Sequence, residues 1–360
     1  SNWQRVRLGD ICEIVKGQQI NKISLNNTDK YPVINGGIDF LGYTNKFNVS
    51  KNTIAISEGG TCGYVRFMTS DFWSGGHNYS LQKISNKVNN LCLYHILKSY
   101  EKDIMKLGVG SGLKNIQLKV LKDFEIPLPP LNEQIAIANI LSDLDRYLYS
   151  LRALILKKES VKKALSFELL SQRKRLKGFN QAWQRVRLGD IFFITAGGDL
   201  SKPHYSNTKQ SDFNYPIYSN AIEKKGLYGY SSFFIIKNKS ITITSRGTIG
   251  VAFFRDYPYV PIGRLLVLQP KISNIDCRFY TEYINSKVKF NTEQTTIPQL
   301  TIPKVALCEI PLPPLNEQIA IANILSALDS EIISLKNKKR QFENIKKALN
   351  HDLMSAKIRV

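Results

Sequence analysis

Two stretches of this 360-residue chain lack glycine and proline altogether, residues 131–177 and 315–360. In the first, Leu141, Leu144, Leu148, Leu151 and Ile155 follow a 3–4 spacing, the period of a helix seam. The seam weakens at Lys158 and Lys162 and resumes at Leu165 and Leu169. The second stretch has the same pattern at Leu325, Leu328, Ile332, Leu335 and Lys339, then Phe342, Lys346, Leu349 and Leu353. Each stretch predicts one helix of about 45 residues, roughly 65–70 Å at 1.5 Å per residue. Elsewhere, short runs of Ile, Val, Tyr, Phe and Thr are broken by Gly, Asn and Pro. "NTIAISEGGTCGYVRFM" and "KSITITSRGTIGVAFF" predict hairpins with glycine-bearing loops. "NNLCLYHILKSYEKDIMKL" and "DCRFYTEYINSKVKF" predict one helix each.

These patterns occur twice. "WQRVRLGDI" opens at Trp3 and returns at Trp183, and "EIPLPPLNEQIAIANILS" occupies both 125–142 and 309–326. The intervals between these frames are related but not identical. Tyr31-Pro32 matches Tyr215-Pro216, and Gly60-Thr61-Cys62-Gly63 matches Gly247-Thr248-Ile249-Gly250. The repeat is far longer than a solenoid period, so it marks a duplicated domain. Pro127, Pro129 and Pro130 hold the chain extended before the helix starts, with Pro130 in the first turn. Glu133 complements the positive helix end, and Gly178 is expected to close the first helix. Two long apolar seams must be buried, and pairing with each other is the cheapest solution. The expected fold is α+β: two mixed α/β domains with β-rich middles, joined by two long antiparallel helices in a coiled coil, with a pseudo-twofold internal repeat.

Charge narrows the function. The formal net charge is +21, which suits a polyanionic partner, most commonly nucleic acid. Five cysteines with no C-x-x-C spacing argue against a disulfide framework or zinc ribbon, and the four histidines show no ligand spacing, so no metal site is expected. No apolar run approaches the ~20 residues of a membrane span and no secretory leader is visible. A reducing, cytoplasmic setting with no membrane is the expectation. Catalysis finds little support: the chain has no N-P-P-[YF] tetrapeptide, no G-x-x-x-x-G-K-[ST] loop, no H-E-x-x-H and no recognisable nucleophile setting. No catalytic residue is expected.

A variable domain of about 110 residues, then "PLPPLNEQ" and a long helix, with the set repeated, resembles the DNA-specificity subunit of type I restriction–modification systems. The resemblance covers the whole chain. It implies target-recognition domains at 1–128 and 178–312, and spacer helices at 129–177 and 313–360. It implies that each domain reads one half of a split double-stranded DNA target, while the helices set the gap and dock two methyltransferase subunits. Motor-nuclease subunits join for restriction. S-adenosylmethionine, ATP and Mg would then belong to the partner subunits, with no cofactor on this chain. A protein scaffold that never touches DNA is the rival reading, as is the specificity module of another bipartite methyltransferase or nuclease system.

Base readers would lie where the copies differ. Ser57, Glu58, Gly59 and Thr61 face Thr244, Ser245, Arg246 and Thr248 in the matched hairpin loop. Arginine can bond guanine O6 and N7 bidentately, and Glu can accept from the cytosine amino group. His77 and Asn78 in the first copy, with Tyr259 and Arg264 in a comparable place in the second, add donors beside aromatic groups. Trp73 and Tyr257 fit packing better. Lys114, in "GVGSGLKN", is offered to a phosphate. The basic runs Lys157, Lys158, Lys162, Lys163 and Lys336, Lys338, Lys339, Arg340 either track DNA or form a solvated helix face.

Overall fold

A computed structural model describes residues 3–290 and 298–355. The chain packs as two compact units, 1–153 with 337–360, and 154–336. Each therefore takes one β-rich domain together with part of both long helices.

In the first unit the two repeated frames prove to be partners of each other. Strand Gln4–Arg7 pairs antiparallel with Glu125–Leu128, in the register Val6 with Ile126. The second unit repeats this with Gln184–Arg187 and Glu309–Leu312, Val186 facing Ile310. The short helices Leu8–Ile11 and Leu188–Ile191 follow, with the Leu8 and Leu188 amides donating to the carbonyls of Phe124 and Cys308. The identity of both frames thus has a structural use: each supplies half of one strand pair.

Between the frames, each unit carries a four-stranded antiparallel sheet. Its order is Glu13–Lys16, Asn78–Gln82, Thr53–Ser57, Val65–Met68 in the first unit. The second unit has Phe192–Ala196, Leu266–Pro270, Ser240–Ile243, Ala252–Arg255. Both expected hairpins are present. A smaller sheet in each pairs Tyr31–Ile34 with Trp73–Ser74 in parallel, and Tyr215–Tyr218 with Val260–Pro261 likewise. The stretch expected as one helix after Asn89 is two, Asn90–Ser99 and Glu101–Met105, broken at Tyr100. Its counterpart, Cys277–Lys287, is single. All five cysteines are free thiols, and burial pushes those of Cys12, Cys92 and Cys277 up to about 12.

The long helices are Leu131–Leu170 and Leu315–Met354, 40 residues each, or about 60 Å. The first stops before Gly178. Gln172 takes a left-handed backbone at φ 60° and its amide donates to Leu169 O, so a non-glycine residue ends the helix where sequence pointed to glycine. Residues 356–360 of the second expected helix lie outside the described residues.

Within each unit the two helices run antiparallel. In the first, the Tyr147 and Phe342 rings sit 4.7 Å apart and Arg152 bonds Glu343 at 3.1 Å, while Asp145 holds Lys346. In the second, Lys158 meets Glu331 at 2.8 Å and Lys162 meets Asp329 at 2.7 Å. The seam is apolar where expected: Leu141, Leu148, Leu151, Leu325 and Ile332 are buried, and Leu144, Leu328 and Leu335 half-buried. Its weak points, Lys158 and Lys162, are closed by ion pairs. Among the described residues Leu315–Met354 is long and apolar enough to cross a membrane, with a mean hydropathy of 1.3 over 18 residues. That apolarity serves the core, where Ile321, Ala322 and Leu325 pack with Leu169, Leu170 and Tyr280.

Each joint between domain and helix is bolted by one glutamine. Buried Gln134 accepts from the Asn89 amide (2.7 Å) and donates to the carbonyls of Pro129 (2.7 Å) and Lys87 (3.2 Å). Gln318 makes the same three bonds to Asp276, Pro313 and Asn274. The neighbouring glutamates accept from indoles, Glu133 from Trp3 (3.2 Å) and Glu317 from Trp183 (2.9 Å), so they fasten the repeated Trp as well as facing the positive helix end.

Candidate nucleic-acid interface

In the first unit the loops singled out from sequence gather at one end of the main sheet, held by backbone bonds. The Glu58 amide donates to His77 O (2.9 Å), Thr61 to Gly36 O (2.8 Å), Gly17 to Asn78 O (2.8 Å) and Ile116 to Glu58 O (2.9 Å). The His77 amide donates to the Asn35 side chain at 2.9 Å. Loops near residues 17, 36, 59, 77 and 115 therefore form one surface.

The second unit builds the same surface. Gly197 donates to Leu265 O (2.7 Å), Leu300 to Ser245 O (2.9 Å) and Arg264 to Gly197 O (3.1 Å). The hairpin loops match in conformation as well, with Gly60 at φ 67° against Gly247 at 68°, and Gly63 at 84° against Gly250 at 85°. Both positions need the left-handed region, which glycine enters without steric cost. Backbone is shared; side chains are not.

The placement of individual residues corrects several expectations. Glu58 is buried, its oxygens held by Lys16 Nζ (2.7 Å) and His77 Nδ1 (3.4 Å). It anchors the Lys16 ammonium and the His77 ring and is not itself available to a base. Gly59 is boxed in, since a Cβ there would lie 2.3 Å from Asn115 Oδ1. Asn78 is 1 % exposed and donates to Ser74 Oγ and Tyr79 O. Ser57 and Ser245 are buried beneath the loops. Tyr259 is a core residue: its hydroxyl meets Ser240 Oγ at 2.7 Å, and burial raises its pKa. The strand register shows why. Val33 pairs with Trp73 and Ile217 with Val260, so Tyr259 stands where buried Phe72 stands. The same register makes Arg264 the counterpart of His77.

His77, Lys114, Arg246, Thr248 and Arg264 are exposed, and Thr61 half-buried. Arg246 and Arg264 have no ion-pair partner among the described residues, so their guanidiniums are available to an anion or a base edge. Arg264 takes a left-handed backbone at φ 67°. Ser245 Oγ donates to its carbonyl (2.6 Å), and Asn220 bonds Gly263 O (2.7 Å) and the Ser245 amide (2.8 Å). Sequence reasoning missed Lys16, Asn35, Asn115 and Asn220. Matching the two copies strand by strand from Gln82 and Gln269 would have placed the loops that contain them.

The helix lysines are mostly engaged. Besides Lys158 and Lys162, Lys336 pairs with Glu159 (2.6 Å) and Lys339 with Glu343 (3.4 Å). Lys338 lies over the Tyr147 ring, and Arg340 reaches Asn337. Lys157 and Lys163 are exposed. The helix face is laced with ion pairs, which weakens the expectation that it tracks DNA.

A family model described as the type I restriction modification DNA specificity domain matches residues 1–159 and again 180–344. The chain belongs to that family. It is a DNA-recognition subunit with two specificity domains. It is 28 % identical over 322 residues to a protein of Mycoplasma genitalium described as a type I specificity subunit, spanning 86 % of this chain and 82 % of that one. It is 26 % identical over 404 residues to the MjaVIII type I restriction enzyme specificity subunit of Methanocaldococcus jannaschii, spanning 100 % and 93 %. Among solved structures it resembles the S subunit of a type I restriction–modification system from M. genitalium, with a TM-score of 0.78 and 25 % identity over 98 % of this chain and 96 % of that one. The expectation of an α+β fold with two recognition domains and long helices holds.

Proposed function

We propose that each loop cluster of this specificity subunit reads one half of a split double-stranded DNA target. The observation that carries this is the pairing of a shared loop backbone with different exposed side chains, His77 and Lys16 in one unit against Arg246 and Arg264 in the other. Two surfaces of one shape and different chemistry suit two ligands of one class. Phosphate affinity comes from the overall charge of +21, which carries no sequence information. Base selection must come from the divergent side chains.

The subunit works in a complex with other restriction–modification subunits. In detail, two methyltransferase subunits and the motor-nuclease subunits assemble on it in the cytoplasm and bring S-adenosylmethionine, ATP and Mg. Its own contribution is positioning: it places an adenine of each half-site before a methyltransferase. Mapping methylated adenines in DNA exposed to the assembled complex tests this. A motif of two short half-sites with a fixed gap is expected. A single contiguous motif sinks the reading of one half-site per domain, and the absence of any motif leaves the scaffold.

A further inference from the structure

Residues 222–226 of the second unit adopt a costly conformation. Lys224 (φ 48°, ψ 31°) and Lys225 (φ 54°, ψ 33°) are both left-handed, and Gly226 follows at φ 82°. Two successive non-glycine residues in this region are uncommon, and such strain persists only where surrounding structure imposes it. Here the imposing group is Arg255. It is 4 % exposed, has no carboxylate partner among the described residues, and donates to Lys225 O at 2.7 Å and from Nε to Thr242 Oγ1 at 3.0 Å. Its guanidinium lies 3.5 Å from the centre of the Tyr218 ring. The Ser219 amide donates to Gly226 O at 2.8 Å and closes the loop. A buried cation and two strained residues hold two exposed lysines in place. Neither ammonium has an ion-pair partner among the described residues.

The loop adjoins the reading cluster directly, because Asn220 at its root bonds Ser245 and Gly263. The first unit holds its corresponding loop with an arginine from a different position, since Arg66 stands opposite Ala55 whereas Arg255 stands opposite Ser240. There Arg66 donates to the carbonyls of Gly37 and Ile38, and Ile38 and Phe40 are exposed in place of lysines. Anchoring of loop carbonyls by an arginine recurs from a different strand position, without the left-handed pair, and the tip chemistry differs.

We infer that Lys224 and Lys225 form a phosphate clamp flanking the half-site read by the second unit, with Arg255 as its positioning residue. This rests on the proposed DNA reading and adds to it a backbone contact beside the reading loops. The test is a salt titration of the full-length chain on a 30-base-pair duplex, comparing the wild type with Lys224→Gly/Lys225→Gly. Glycine accepts the left-handed backbone, so the double variant keeps the fold and gains thermal stability. Its binding should weaken about tenfold or more at 0.1 M salt, and the slope of log affinity against log salt should become shallower by about 1.8, at 0.9 per phosphate contact. Arg255→Met should weaken binding in the wild-type background and have no further effect in the double-glycine background; an equal loss in both would make Arg255 merely structural. A wild type that binds with an unchanged slope in the double variant overturns the clamp alone. A wild type with no affinity for duplex overturns the DNA reading beneath it.

Discussion

Replacing Gln318 by alanine tests how the domain is fixed to its helix. The side chain is fully buried and makes three bonds, to the Asp276 amide (2.9 Å) and to the carbonyls of Pro313 (2.8 Å) and Asn274 (3.0 Å). Truncation strands one buried donor and leaves two carbonyls short of a partner. A stranded buried group costs about 1–3 kcal/mol, and carbonyls with a second lone pair fall at the low end. The sum is about 3–5 kcal/mol. For a unit of this size, at about 2–4 °C per kcal/mol, that lowers the melting midpoint by about 6–20 °C. Gln134→Ala breaks the same three bonds in the first unit, but Gln134 lines an open groove with Pro129, Pro130 and Leu131. Water can enter there and satisfy the freed groups, so this variant should cost less. Gln318→Glu keeps the acceptor but sets a buried carboxylate oxygen against two carbonyl oxygens, and should cost at least as much as alanine. Differential scanning calorimetry of the four proteins decides the matter. A shift under about 2 °C for Gln318→Ala, or a larger loss for Gln134→Ala, would show that the bolt is not what holds the joint.

Three further outcomes follow from the placements above. Arg246→Ala should weaken cognate binding by about 1–3 kcal/mol, the usual worth of a bidentate base contact, and relax preference in one half-site only; an equal loss on random duplex would make it a phosphate contact. Tyr259→Phe should cost about 1 kcal/mol of stability through the lost Ser240 bond and leave DNA affinity unchanged, as calorimetry and a binding titration would show; weakened binding with unchanged stability would return Tyr259 to the surface. His95 is buried, and burial pushes its pKa down to about 4. The unfolded chain therefore takes up its proton first, near pH 6.5, and stability falls as pH drops from there towards 4, by up to about 3 kcal/mol; urea titrations of wild type and His95→Leu should differ in slope over that window, and equal slopes would refute the assignment.

Sequence by itself determined whatever depends on neighbours along the chain. The 3–4 spacing from Leu141 to Ile155 set a buried seam, the glycine-bearing runs at 53–68 and 240–255 set two hairpins, and the repeated frames set a duplicated domain. The proline-rich joint placed the start of each long helix within a residue. Contacts between residues far apart in the chain were decided only by the tertiary structure. That "WQRVRLGDI" pairs with "EIPLPP" is a strand register across about 120 residues, and no local propensity encodes it. Glu58 looked like a reader because its loop tip differs from that of the second copy, yet Lys16 from another strand and His77 from a turn hold it under the surface. Tyr259 looked like a surface aromatic until its strand was set beside Phe72. The seam lysines looked like gaps until Glu331 and Asp329 of the second helix met them. Gln172 ends a helix in a left-handed turn that residue preference assigns to glycine. Local pattern fixes which face of an element is apolar, whereas burial and pairing depend on what the rest of the fold brings against that face.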